Sequence, residues 1–351
     1  MIYFFILFIF LFFSELYGGS NIVASRKQFK YVHLVIFFGL LFLIGLRNKY
    51  IGTDTLTYIY EFEYSEIPIN FNIFKYSEPL YKIALAISQL LFNNYTGFLC
   101  FFAFPFSLAY SNFIKKYSDD YFISVLIIIV LGTITFCMAG VRQSVALGFT
   151  IIAYQYARER KLISFLVCCL IAFGFHNSSI VIIFMYPLFM IKKINYKFWL
   201  LFIIAFILGF TKNKIIMQIA NLFFVQDRYM MYGTTYQTNL NYTMLIIQLT
   251  LLIFCYIYKD KIITENKNNS SLFIMAFLSV IMQSFTPILG EFFRLSLYFS
   301  FSFCILVPKA IAIQKKIENK LILYYGTIFI CLLYFFMSGD SIVLTYRPFW
   351  G

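Results

Sequence analysis

A few polar residues stand at the ends of long apolar runs, and their types are those that bind anions and move protons. Arg47 opens the stretch Arg47-Asn48-Lys49-Tyr50-Ile51-Gly52-Thr53-Asp54-Thr55, which continues through Tyr58 and later reaches Ser77-Glu78-Pro79-Leu80-Tyr81. Gly52 permits a turn, and Thr53 or Asp54 can cap a helix beginning at Leu56. Asp54 therefore reads equally as a helix cap and as a base or hydroxyl acceptor. Arg142 lies in the tight hairpin Met138-Ala-Gly-Val-Arg142-Gln143-Ser144, where a guanidinium either snorkels to headgroups or recognises phosphate through its planar fork. His176, in Gly174-Phe175-His176-Asn177-Ser178-Ser179, either hydrogen-bonds a neighbouring helix or serves a polar site together with Asn177. Glu291 and Arg294 are one helical turn apart and read as an internal ion pair, with Tyr298 one turn further on. Arg228 and Arg347 read as surface anchors.

The elements that must position these residues are apolar helices. The chain of 351 residues is 62% hydrophobic, 22% aromatic and only 12% charged, with a mean hydropathy of +0.82. A soluble domain carries about 25% charged residues, so a water-soluble globule is excluded. The expected fold is all-α, a polytopic integral membrane protein forming a single membrane-embedded domain over 1–351. Its spans are expected at about 1–17, 31–46, 95–114, 121–138, 141–157, 162–175, 178–191, 198–211, 242–258, 271–287, 292–308 and 321–337, about twelve in all. The first run reads as an uncleaved anchor, since basic residues follow it and none precedes it.

Orientation follows from charge. The loops bearing Arg26, Lys27, Lys30; Lys115, Lys116; Arg158, Arg160, Lys161; Lys192, Lys193, Lys197; Lys259, Lys261, Lys267; and Lys309, Lys315, Lys316, Lys320 hold 18 of the 28 basic residues, and the positive-inside rule puts them in the cytoplasm. This distribution explains the net charge of +13 as membrane topology, without a nucleic-acid partner. Counting Pro79 to Phe92 as a span would invert every later loop, so it is expected as an interfacial or re-entrant helix. Long extracytoplasmic loops over about 47–94 and 212–241 then point to chemistry on the outer face. The seven cysteines lie in apolar runs and imply no disulfide framework, and two histidines in different segments argue against a metal site. No metal or other cofactor is expected.

The set Arg47 with Gly52-Thr53-Asp54-Thr55 and Tyr58, Glu78-Pro79-Leu80-Tyr81, Arg142 ahead of a small-residue helix, His176-Asn177-Ser178-Ser179, and Arg294 with Tyr298 resembles the EpsG-type branch of the Wzy-like polysaccharide polymerases. The resemblance runs from about 47 to 299. It implies a multi-pass enzyme of the bacterial cytoplasmic membrane with its active site facing outside. Such an enzyme joins oligosaccharide repeat units carried on undecaprenyl diphosphate into O-antigen, capsule or exopolysaccharide. A flippase and a chain-length regulator are its expected protein partners.

The chemistry this implies suits the residues. Transfer from a polyprenyl diphosphate expels a charged leaving group, so arginines near the headgroup plane can stabilise charge gained in the transition state. Arg142 and Arg294 are the first candidates for the diphosphate, with Arg47 beside them. The acceptor hydroxyl must lose a proton, which calls for His176 or Asp54 as base; His176 is slightly favoured, with Asp54 orienting the acceptor or an arginine. Glu78, Tyr81, Gln143, Asn177 and Tyr298 are expected to touch the substrate. Two other readings remain open, a glycosyltransferase using a polyprenyl-phosphosugar donor and a flippase for the lipid-linked unit.

Overall fold

The computed structural model describes residues 31–65, 78–191, 196–210, 242–287, 290–338 and 345–350. The expected span at about 1–17, the basic residues Arg26, Lys27, Lys30, Lys192 and Lys193, and the loop 212–241 with Arg228 lie outside the described residues.

Among the described residues the chain is helical, and element ends fall close to the expected ones. The helices are α1 (Val32–Gly45), α2 (Thr55–Tyr64), α3 (Pro79–Leu91), α4 (Tyr95–Tyr117), α5 (Tyr121–Val130), α6 (Thr133–Ala139), α7 (Val141–Arg158) and α8 (Leu162–Phe175). A 3-10 segment, Asn177–Phe184, leads into α9 (Met185–Leu188), followed by α10 (Tyr196–Phe210) and α11 (Thr243–Ile257). The last are α12 (Lys259–Glu265), α13 (Ser270–Ser284), α14 (Phe292–Ser300), α15 (Phe303–Ala312) and α16 (Ile317–Ser338).

Local chemistry sets several of these limits. Asn94 caps α4 by accepting from Gly97 N–H at 2.8 Å, and Asp120 caps α5 by accepting from Ile123 N–H at 2.9 Å. Lys115 and Lys116 occupy the last turn of α4, where the helix dipole favours positive charge. Pro79 stands at the start of α3, the position where its missing N–H costs nothing.

Two expected spans are broken. The run 121–138 bends by 53° between α5 and α6, and the run 292–308 bends by 42° between α14 and α15. At the first break Gly132 has φ +70°, a left-handed conformation open to glycine at little cost. Among the described residues two helices, α4 and the stretch Ile317–Phe335 of α16, are long and apolar enough to cross a membrane, or four spans if each bent pair counts as one. The twelve spans expected are not confirmed by length and composition. Other apolar helices, such as α1, α8 and α11, are 14, 14 and 15 residues long, below the ~20 that cross a hydrocarbon core comfortably. Their apolar side chains nonetheless face outward, with Phe42, Ile163, Leu170 and Ile253 more than half exposed, as lipid-facing surface requires.

The basic clusters that can be followed meet at one end of the bundle. Lys116 and Lys161 both pair with Glu159 at 3.0 and 2.8 Å, Arg158 donates to Asn269 Oδ1 at 3.2 Å, and Lys309 pairs with Asp119 at 2.8 Å. The length of α7 sets Arg142 roughly 24 Å from Arg158, so the remaining polar residues of interest gather at the other end.

At that end a small apolar core lies beneath α2 and α3. It joins Tyr58, Phe62, Tyr81, Ala84 and Leu85 to Phe98, Leu99 and Phe102 of α4 and to Val141 and Val145 of α7. Polar ties fix its lid: Tyr81 OH donates to Glu61 at 2.8 Å, Lys82 pairs with Glu61 at 3.3 Å, and Gln89 Nε2 donates to Phe62 O at 2.8 Å and Ser65 O at 2.9 Å. Helices in lipid gain little from apolar burial alone, so such interhelical hydrogen bonds count. A fully buried triad does the same for α14: Gln248 Nε2 donates to Ser296 Oγ at 3.1 Å, and Ser279 Oγ donates to Gln248 Oε1 at 3.1 Å.

Candidate active site

Glu78 is the hub of the polar end. It precedes Pro79 at the start of α3, and its side chain is 8% exposed. One carboxylate oxygen, Oε2, is ion-paired with Arg142 Nη1. The other, Oε1, meets His176 Nδ1 at 2.8 Å and accepts from Asn177 N–H at 3.3 Å. Burial would raise the pKa of Glu78, but the hydrogen bond and charge of His176, with Arg142 behind them, outweigh it and hold the group below the usual carboxylate range. An ionised carboxylate only accepts, so His176 Nδ1–H is the donor and Nε2 carries the lone pair. No other described residue hydrogen-bonds Nε2.

Each partner is held in turn. Arg142 sits in the first turn of α7, where Gly140 ends α6 and starts the next helix. Its guanidinium lies 5.4 Å from the Tyr58 ring centroid and 5.3 Å from that of Tyr81, and Nε donates to Tyr58 OH at 3.2 Å. A third of its side chain remains exposed. His176 takes an extended backbone (φ −156°, ψ 119°) that stops α8, which turns the imidazole under α3. Burial depresses its pKa; Glu78 opposes this, while the charges of Arg142 and Arg294 reinforce it, and the net result is below the ordinary histidine value. The imidazole therefore feels the charge of both arginines and is neutral near pH 7.

Arg294 forms the second positive pole. It pairs with Glu291 at 3.0 Å, as its spacing predicted, and its backbone carbonyl accepts from Gln143 Nε2 at 3.2 Å, tying α14 to α7. Glu291 is raised by burial, opposed by Arg294 and reinforced by the charge of Asp54, so Asp54 lies within electrostatic reach of this pair. Tyr298 is fully buried, and its hydroxyl pairs with Ser178 Oγ at 3.1 Å. Asn177 Oδ1 and Ser179 Oγ are buried with no hydrogen-bond partner among the described residues.

Arg47, Glu78 and Tyr81 are held by protein partners, and Asp54 is exposed. Arg47, expected on the diphosphate, is 1% exposed: its guanidinium donates to Ile44 O, to Ile51 O at 3.2 Å, to Met138 O at 2.6 Å and to Thr55 Oγ1 at 3.3 Å. It is a staple between the 46–55 loop and the end of α6, inaccessible to a phosphate in this conformation. Asp54 stands at the N-cap position of α2 without a side-chain cap bond, because its backbone (φ −103°, ψ 1°) is not the extended one a cap needs; its carboxylate is exposed. Glu78 and Tyr81, expected to touch substrate, are buried and committed to protein partners. Glu61 and Lys82 were not anticipated; the signal available was Glu61 one helical turn after Tyr58.

The 345–350 segment returns to this end. Arg47 and Pro348 form an isolated antiparallel bridge, and Asn48 N–H donates to the carbonyl of Arg347 at 2.9 Å.

Apolar helices with outward apolar faces, broken at two places, define a helical membrane protein. A family model, the EpsG family, matches residues 30–346, nearly the whole chain, and the chain belongs to that family. It is thereby a polysaccharide-polymerase-type membrane protein, of a family associated with polysaccharide biosynthesis. No curated protein and no solved structure matches it.

Proposed function

We propose that this protein is a membrane glycosyltransferase that polymerises undecaprenyl-diphosphate-linked oligosaccharide repeat units on the outer face of the bacterial cytoplasmic membrane. The observation that carries the reading is the joining of a base and an anion site by one carboxylate: Glu78 contacts His176 through Oε1 and Arg142 through Oε2. In the proposed step the acceptor hydroxyl gives its proton to His176 Nε2 as its oxygen bonds to the anomeric carbon of the donor. The bond from that carbon to the diphosphate breaks, and the electron pair leaves on the phosphate oxygen. Arg142 and Arg294 bind the diphosphate and stabilise the charge it gains. The guanidinium groups supply the positive charge, so no metal is required.

Asn177 Oδ1 and Ser179 Oγ, buried without partners among the described residues, suit sugar hydroxyls, because buried polar atoms are rarely left unpaired. Asp54, exposed near Glu291 and Arg294, fits the orientation of the acceptor. The flippase reading draws support from the two bent helix pairs, since transporters use broken helices. A deletion strain separates the two. A lost polymerase leaves single repeat units on the cell surface or on the lipid carrier at the outer face, restored to long chains by the wild-type gene. A lost flippase leaves the units at the cytoplasmic face.

A further inference from the structure

Glu78 is itself buried, yet it holds both groups to which the proposed function assigns roles. We infer that Glu78 is a positioning residue that couples the two: a polyprenyl diphosphate drawn to the exposed side of Arg142 takes over the guanidinium charge and leaves the Glu78 carboxylate to His176, so donor binding readies the base. This deepens the reading of Arg142 as a diphosphate site and rests on it.

The geometry carries the argument. The two carboxylate oxygens are divided, Oε2 to Arg142 and Oε1 to His176 and Asn177 N–H. The Arg142 guanidinium is spread over the Tyr58 and Tyr81 rings, so its position is fixed without Glu78. Its Nη2 hydrogen-bonds to no described residue, and its side chain is 33% exposed while that of Glu78 is 8% exposed. An incoming dianion can therefore reach the guanidinium but not the carboxylate. The charged and titratable groups around His176 are Glu78 from the start of α3, Arg142 from α7, and Arg294 with Tyr298 from α14. Both arginines oppose a proton on the imidazole, and Glu78 alone among these groups favours it. Neutralising Arg142 by a bound anion removes one opponent and frees the one ally. The result is a site whose base strengthens when a donor is in place and stays weak when none is.

The chain has two histidines, and His33 lies at the opposite end beside Lys115, so histidine-selective 13C labelling gives one reporter at the site and one internal reference. The protein in nanodiscs is titrated with and without saturating undecaprenyl diphosphate, in wild type and in Glu78→Gln, with saturation checked by direct binding. The expected result is an upward displacement of the His176 midpoint on binding, by about one pH unit or tenfold in proton affinity. The displacement shrinks in Glu78→Gln to the direct effect of the added charge, and His33 does not move. The same non-additivity is expected without ligand between Arg142→Gln and Glu78→Gln. Equal displacements in wild type and Glu78→Gln, or strict additivity in the ligand-free pair, overturn the coupling while leaving Arg142 as the donor site. Failure of undecaprenyl diphosphate to bind, or binding indifferent to Arg142→Gln, overturns the donor-site reading itself and the coupling with it.

Discussion

His176 Nδ1 lies 2.8 Å from Glu78 Oε1 although the two residues are 98 positions apart. That contact fixes the imidazole tautomer, turns Nε2 away from the carboxylate, and links the stop of α8 to the start of α3. A histidine held this way acts as a base through the nitrogen that its anchor leaves free.

Two arginines at this end, Arg142 and the buried Arg47, are expected to fail in different ways. Arg142→Lys loses the fork but keeps a charge, and should cost about 2 to 4 kcal/mol in transition-state stabilisation, on the order of a hundredfold in turnover, at unchanged melting temperature. Arg47→Lys loses the fork that reaches the carbonyls of Ile44, Ile51 and Met138 together, leaving only Thr55 Oγ1 to serve the last two, which should cost about 1 to 3 kcal/mol of stability. Turnover per folded molecule should change little. Thermal unfolding in detergent, read beside turnover, separates them; a lowered melting temperature for Arg142→Lys with normal specific activity would reverse the roles.

Gly52 has φ +94°, and a Cβ there would collide with the Met138 carbonyl oxygen. Gly52→Ala therefore meets both a disfavoured backbone and a clash with fixed main chain. It should destabilise by more than the ~1 kcal/mol of the conformational effect alone, and displace the loop that presents Asp54. A melting temperature equal to that of the wild type would show that the 46–55 loop is not clamped as described.

The lowered proton affinity of His176 sets the pH response. The folded value lies below the ordinary 6.5, so the unfolded chain takes up a proton first as pH falls. The stability contributed by neutral His176 is present above pH 6.5 and is lost as pH falls towards the folded value. The acid limb of kcat/KM, which reports free enzyme, should accordingly lie below about pH 6.5 in the wild type and be absent or moved in His176→Gln. An unchanged acid limb in His176→Gln, with Asp54→Asn abolishing turnover at intact donor binding, would transfer the role of base to Asp54.

Much of this end of the molecule was legible residue by residue but not as an assembly. The apolar run that stops at Phe175 marked the end of α8, and the spacing of Glu291 and Arg294 marked their ion pair. The joining of Glu78 to Arg142 and His176 was hidden, because its partners are 64 and 98 residues away and a lone Glu before Pro reads as a helix start. Arg47 misled for the opposite reason: an arginine beside a glycine turn looks accessible, and only packing against Met138 shows that backbone carbonyls use its fork. The first bend was equally silent, since 121–138 is predominantly apolar and the break depends on the left-handed backbone of one residue, Gly132.

The central claim is tested most directly by purified protein in nanodiscs, given a synthetic undecaprenyl-diphosphate-linked repeat unit with EDTA present. Product length and released undecaprenyl diphosphate are followed for the wild type, Arg142→Lys and His176→Gln. The account predicts chain growth with one carrier released per bond formed, undiminished by EDTA and reduced on the order of a hundredfold in each variant. Chain growth at wild-type rates in both variants, or no growth by the wild-type protein, would contradict it.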